Sequence, residues 1–197
     1  MLQAGMLVST PTCAQNMDTS RWKLEQNTIW GFAVSLPPGW TVLDMPVAAL
    51  RLVIRQEMPD GRTSMCQVQA NSQSETADLS QSQLNDYVAG KGPPSRQDLT
   101  TATGTASSPV TVHSTELIWV NGLPAYGYDV SNKIRSTVNP VHQRTRSEWI
   151  YVPGRSYGVS CTAASGNAFT SDALYERNLP IFRGFLDSFL VIPPRVN

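Results

Sequence analysis

Charge is scarce in this sequence. Charged residues make up 15% of the 197 positions, against about a quarter in globular proteins, and lysine occurs only at Lys23, Lys91 and Lys133. The fifteen basic and fifteen acidic side chains cancel. Nucleic acids and anionic membranes attract proteins through a broad positive field, so we expect neither as a partner. A neutral surface rich in Ser, Thr and Gln favours an exported, periplasmic or secreted bacterial protein.

Long apolar runs are also missing. No stretch of 18 apolar residues exists, so the sequence predicts no integral membrane segment. Residues 1–15 lack the basic start and long apolar stretch of a full signal peptide, although Thr12-Cys13-Ala14 resembles the end of a cleavage site. We therefore expect residues 1–28 to be an N-terminal tail, either a signal-peptide remnant or a simple extension. A single domain should follow over residues 29–192.

The three cysteines do not form a metal-binding pattern. No Cys-x-x-Cys pair and no cluster of histidines accompanies them, so we predict no metal site. Cys66 and Cys161 fall in strand-like segments and should both point inward, which leaves two alternatives open, a disulfide bond or two buried free thiols. The sequence also lacks a glycine-rich phosphate loop and any cofactor fingerprint, and no cofactor is expected.

Apolar side chains alternate with small or polar ones along most of the chain, the period of half-buried strands. The segment Phe32–Leu36 is one example, and it stops at Pro37-Pro38-Gly39. Asn121-Gly122 and Pro153-Gly154 mark two of the later turns. Because such turns join consecutive strands as hairpins, we predict an α+β fold whose antiparallel sheet of about six to seven strands is sandwiched between helices.

Helical signals are concentrated in two places. The first covers Asp78 to Ala89, with Thr76 or Asp78 as its cap. The second begins at Thr170 or Ser171, and Pro180 should break or kink it before a stripe of apolar residues at helical spacing, Phe182, Phe185, Leu186 and Phe189. Between the two, the polar stretch from Ser95 to Pro109 predicts a long loop, either mobile surface or a binding loop.

Two short motifs resemble the Mog1/PsbP-like superfamily, which includes the DcrB-type bacterial proteins. One is Phe32-Ala33-Val34-Ser35-Leu36-Pro37-Pro38-Gly39-Trp40, similar to the opening strand and Pro-x-Gly-Trp turn of that superfamily. The other is Phe185-Leu186-Asp187-Ser188-Phe189, similar to the end of its last helix. The resemblance implies an antiparallel sheet between helices and binding of other proteins, since members bind a small GTPase, photosystem components or secretion-system effectors. It implies no catalytic residue.

One motif carries an enzymatic alternative. Gly154-Arg155-Ser156-Tyr157-Gly158 matches the G-x-S-x-G pattern of a hydrolase, in which His113 or His142 would act as the base. A nucleophile elbow needs a strand, a sharp turn and then a helix, whereas strand patterns flank this motif on both sides. We therefore interpret it as a hairpin turn and keep a hydrolase centred on Ser156 as an alternative.

The remaining candidates are binding residues. Arg144 and Arg146 alternate on one strand face and Arg155 follows in the next turn. Ordinary charges on an exposed strand face are the simpler interpretation, and a local basic patch for an acidic or phosphate-bearing partner is the alternative. Trp22 is the best candidate for an exposed aromatic anchor. The sequence predicts a non-enzymatic, exported protein-binding module. The alternative is a cytosolic adaptor or chaperone of a bacterial secretion system.

Overall fold

A computed structural model describes residues 18–45, 47–58, 60–104, 108–134 and 139–192, so the expectations for Cys13 and the cleavage site lie outside it. Ten strands and three α-helices form within these residues. The strands are β1 Lys23–Asn27, β2 Phe32–Leu36, β3 Thr41–Val42, β4 Leu50–Glu57, β5 Thr63–Ser72, β6 Val110–Val120, β7 Leu123–Ile134, β8 Val141–Val152, β9 Arg155–Ser165 and β10 Leu190–Val191. The helices are α1 Gln81–Lys91, α2 Arg96–Thr103 and α3 Ala168–Asp187.

The main sheet has seven strands in the order β3-β4-β5-β9-β8-β7-β6, and every neighbouring pair is antiparallel. The β6–β7 turn needs positive φ at two positions, which Asn121 (49°) and Gly122 (81°) supply. Gly154 has a φ of 72° in the β8–β9 turn. Helices lie on both faces of this sheet, so the predicted α+β fold is confirmed.

A second, three-stranded sheet has the order β1-β2-β10. Its strand β1 lies inside the segment that we expected to be an N-terminal tail, and it pairs with β2 along its whole length. The residues of β1, Lys-Leu-Glu-Gln-Asn, do not alternate between apolar and polar side chains. The apolar pattern of the sequence therefore did not predict this strand. The ordered domain therefore extends to residues before Ile29.

The principal core lies between α3, the small sheet and one face of the main sheet. Its largest fully buried side chains are aromatic, and the ring centroids of Tyr157 and Phe189 are 5.3 Å apart. The α3 helix runs through Pro180 without ending there, so of the two alternatives that we expected, a break or a kink, the break does not occur. Buried residues on both sides of Pro180, Tyr175 and Phe182 among them, hold the helix on the sheet, and tertiary packing thereby outweighs the lost hydrogen bond.

Helices α1 and α2 lie on the other side. Ser80 caps α1 in a capping box with Gln83, so the helix begins after the positions that we expected as caps. The stretch from Ser95 to Pro109 is not a continuous loop, because α2 occupies most of it. A second capping box, Ser95 with Asp98, starts this helix, and Arg96 Nη2 donates a hydrogen bond to the His113 carbonyl of β6 (2.9 Å).

Candidate functional site

A shallow cavity of about 290 Å³ lies on the main sheet, on the side away from α3. We call this surface the open face. Its floor consists of alternate residues of the adjacent strands β5, β9, β8 and β7, with Val110 of β6 at its border. The lining residues are Met65, Gln67, Gln69, Val110, Tyr128, Val130, Asn132, Gln143, Thr145, Ser147, Trp149, Gly158, Ser160 and Thr162.

Among the residues that the structure describes, no side chain that lines the open face carries a charge. Amide and hydroxyl groups dominate it, and several of them already pair with one another. Thr145 Oγ1 and Thr162 Oγ1 are 2.8 Å apart, and Trp149 Nε1 donates a hydrogen bond to Tyr128 Oη (2.6 Å). Such groups both donate and accept hydrogen bonds, so the face suits a polar, uncharged surface.

Trp149 lies flat against the backbone of its cross-strand neighbour. A Cβ atom on Gly158 would lie only 3.1 Å from Trp149 Cζ2, so the indole ring can occupy this place only because position 158 is glycine. The close approach fixes the ring on the floor of the open face. A rigid aromatic side chain among hydrogen-bonding groups is a common anchor in protein interfaces.

Helix α1 covers the neighbouring part of the same side of the sheet. Leu84 and Val88 are buried against Tyr126, whose hydroxyl donates a hydrogen bond to the Val88 carbonyl (2.9 Å). The ring centroids of Tyr126 and Tyr151 are 5.5 Å apart. Burial raises the pKa of Tyr151 to about 12. This contact between α1 and the sheet is buried, and it separates the open face from the end of the sheet.

The expected basic patch does not form. Arg144 and Arg146 do share one face of β8, as alternation predicts, but that face lies under α3 and acidic side chains meet both. Arg144 makes two hydrogen bonds to Asp129 (both 3.2 Å) and one to Glu176 (3.0 Å). Arg146 Nη2 lies 2.8 Å from Glu116 Oε1.

Arg155 and Trp22 are also placed differently from our expectation. Arg155 Nη1 donates a hydrogen bond to the Trp30 carbonyl (2.8 Å) at the opposite end of β8 and β9 from Arg144. Trp22 is not an exposed anchor, because its half-buried ring packs against the principal core and α3. A Cβ on Gly184 would lie 2.9 Å from Trp22 Cη2. These aromatic and cationic groups stabilise the fold.

The geometry of Ser156 does not support the hydrolase alternative. Ser156 lies inside strand β9, fully buried, and its hydroxyl accepts a hydrogen bond from Gln73 Nε2 (3.0 Å). His113 Nε2 pairs with Ser131 Oγ at 2.9 Å instead. His142 is nine residues along β8 from Tyr151, the partner of Ser156, which places it about 30 Å away. Neither imidazole can act as a base for Ser156.

A disulfide bond joins Cys66 and Cys161 at the centre of the main sheet. The two residues are directly opposite each other in β5 and β9, both are fully buried, and their Cα atoms are 4.1 Å apart. The described residues contain no group of three or more His, Cys, Asp or Glu side chains arranged for a metal ion. Among the helices that the structure describes, none has the length and hydropathy to cross a membrane.

No protein-family model matches this sequence, and no curated protein matches it either. Solved structures are similar in fold. The solution structure of cyanobacterial PsbP (CyanoP) from Synechocystis sp. PCC 6803 has a TM-score of 0.54 at 13% identity, over 95% of this chain and 99% of that one. A structure of a Mog1 mutant has a TM-score of 0.52 at 13% identity, over 88% and 97%. A structure of the Saccharomyces cerevisiae Ran-binding protein Mog1p has a TM-score of 0.49 at 13% identity, over 87% and 97%. The fold is thus Mog1/PsbP-like.

Proposed function

We propose that this chain is a non-enzymatic module of the DcrB type that binds another protein through the open face. The observation that carries the proposal is a surface of four adjacent strands whose lining is polar, uncharged and built around the fixed indole of Trp149. Mog1, which has the same fold, is named as a Ran-binding protein. The fold alone does not decide function, because one fold serves many functions, and the open face is the feature that supports a binding role here.

The dimensions of the open face indicate what such a partner would contact. Four strands span about 14 Å, and six residues along β8 span about 20 Å. This area is smaller than the roughly 800 Å² that each partner buries in a stable interface. The open face would therefore form the centre of the interface, and the adjoining surfaces of α1 and α2 would form its rim.

Export is the second part of the proposal. A disulfide between Cys66 and Cys161 persists in oxidising compartments such as the bacterial periplasm and is rare in the cytosol. This bond favours a periplasmic or secreted binding module over a cytosolic adaptor or chaperone of a secretion system. We propose one folded domain that ends near residue 192 and includes β1.

The open face can be tested by adding one charge to it. Gln67→Arg places a guanidinium among uncharged groups, and the cost of leaving it unpaired in an interface should weaken partner binding about thirtyfold or more. Ala173→Arg adds the same side chain on the exposed side of α3 and serves as the control. Capture from host extracts with each immobilised variant, with quantification of the proteins retained, measures the effect.

Salt dependence gives an independent readout of the same interface. Because the open face is uncharged, a protein retained by the wild type should remain bound when the salt concentration is raised to about 1 M, where charge–charge attraction is strongly screened. Retention by Ala173→Arg but not by Gln67→Arg supports the proposal. Equal retention by both variants, or release by salt alone, contradicts it.

A further inference from the structure

A second concave surface lies on the opposite side of the sheet, between α3 and strands β6, β7 and β8. We call it the α3 groove. Its main cavity has a volume of about 410 Å³, and an adjoining cavity of about 350 Å³ shares Arg146, Glu148 and Asp187 with it. The groove is separate from the open face, because the main sheet lies between them.

The α3 groove carries an excess of negative charge. Five carboxyl groups line its main cavity, from β6, β7, β8 and α3: Glu116, Asp129, Glu148, Glu176 and Asp187. Three guanidinium groups oppose them: Arg144, Arg146 and Arg183. With every group ionised, the lining therefore has a net charge of −2. The groove would attract a cation from solution.

Glu148 is the group in the α3 groove whose hydrogen bonding is incomplete. Only 6% of its surface is exposed, and no residue in the described ranges donates a hydrogen bond to its buried Oε2 atom. Two of the three arginines that line the groove already have other partners, since Arg146 pairs with Glu116 and Arg144 with Asp129. A buried carboxylate without a donor is costly, so Glu148 marks a place where a donor from outside would be stabilising.

Gly127 allows the Arg146 side chain to lie close against the floor of the α3 groove next to Glu148. Gly127 of β7 lies directly between Glu116 on β6 and Glu148 on β8. A Cβ on Gly127 would meet Arg146 Nη2 and Ile118 Cδ1, each at 3.2 Å. The missing side chain therefore lets the Arg146 guanidinium lie between the two carboxyl groups, where it pairs with Glu116 and leaves Glu148 Oε2 without a donor among the described residues.

From this geometry we propose that the α3 groove binds an organic cation, an ammonium or guanidinium group, with the Glu148 carboxylate as its buried counter-ion. The cation would sit where Glu148 and Asp187 both line the cavity, so that it can donate a hydrogen bond to Glu148 and approach Asp187. Charge-assisted hydrogen bonds of this kind are the strong ones. The same chemistry is offered by a free amine or guanidine and by a lysine or arginine side chain of a polypeptide.

Ionisation of Glu148 should control binding. Burial raises the pKa of Glu148 to about 7, the Arg146 guanidinium lowers it, and the negative charges of Asp187 and Glu116 raise it further. Burial also raises the pKa of Asp187. At about pH 8 Glu148 is mostly ionised and accepts a cation, whereas at about pH 5 it is protonated. Binding should therefore weaken as the pH falls through the pKa of Glu148.

The proposal can be tested by titrating the full chain with methylguanidinium at about pH 8. The ¹³C signal of the Glu148 carboxyl group reports binding. We expect a saturable shift at this pH and a weaker one at about pH 5. Glu148→Gln is isosteric and should bind the probe about tenfold more weakly or worse, measured by the backbone amide signal of Gly127. Glu75→Gln removes an exposed carboxylate outside the groove and should bind like the wild type.

A second variant tests whether binding depends on the shape of the site as well as on its negative charge. Gly127→Ala keeps every carboxylate but places a methyl group against Arg146 Nη2 and Ile118 Cδ1, which must then shift toward the groove, so it should weaken probe binding as well. A blocked tripeptide with a central arginine distinguishes the sources: tighter binding than methylguanidinium assigns the site to a polypeptide side chain, and equal or weaker binding assigns it to a small molecule. Shifts that do not saturate, or that are equal in Glu148→Gln and the wild type, overturn the proposal.

Discussion

Removal of the Cys66–Cys161 disulfide should lower the free energy of unfolding by about 4–5 kcal/mol, because the bond closes a loop of nearly one hundred residues in the unfolded chain. A loss of this size approaches the whole stability of many domains of this size. We expect the double variant Cys66→Ala/Cys161→Ala to show it. Urea denaturation of the oxidised wild type and the variant measures the difference.

A reductant supplies the control for this experiment. The wild type unfolded in the presence of dithiothreitol should have a midpoint close to that of the double variant, whereas the reductant should leave the midpoint of the double variant unchanged. Because both cysteines are fully buried, reduction should require unfolding and should be slow under native conditions. A wild-type midpoint that is insensitive to reductant would show that the two thiols are not joined.

Replacement of Glu148 with Gln should stabilise the protein at high pH and change little at low pH. Burial raises the pKa of Glu148 from 4.5 to about 7. The folded protein therefore holds a proton between pH 4.5 and 7 that the unfolded chain has released, and its stability falls as the pH rises through this window. The interval of about 2.5 pH units corresponds to about 3 kcal/mol. Glu148→Gln has no titrating carboxyl group at this position, so the variant does not lose this stability as the pH rises.

The difference between the wild type and Glu148→Gln isolates this one group from all other titrating side chains. We expect the gap in unfolding free energy to grow from pH 4.5 to about 7 and to be constant above it. Urea denaturation at a series of pH values measures it. Glu75→Gln replaces an exposed carboxylate by the same amide and is the matched control for the substitution itself. A constant gap between wild type and Glu148→Gln would mean that folding does not shift the pKa of Glu148, and it would contradict this prediction.

Much of the fold follows from local patterns. Alternating apolar residues, the Asn121-Gly122 turn and the Phe182–Phe189 stripe specify hairpins and a packed helix without further information. Three elements were harder to predict, and two of them depend on tertiary contacts. Strand β1 is polar and forms by pairing with β2, and α3 continues through Pro180 because both of its halves are packed. The third, helix α2, did leave a signal, the Ser95 and Asp98 capping box.

The site was less predictable from sequence. Alternation correctly divided β8 into one face with Thr145, Ser147 and Trp149 and another with Arg144 and Glu148. It could not show which face α3 covers, nor that acidic residues from β6, β7 and α3 meet the arginines there. The roles of Gly127 and Gly158 also depend on cross-strand neighbours that only the register reveals.

The central claim is that the open face contacts another protein, and photo-crosslinking in the host tests it most directly. A photoreactive amino acid is introduced at position 67 on the open face or at position 173 on the exposed side of α3, and irradiated cells are examined for products that are larger than the chain. The account predicts a discrete protein adduct from position 67 and none from position 173. A discrete adduct from position 173 alone would contradict it.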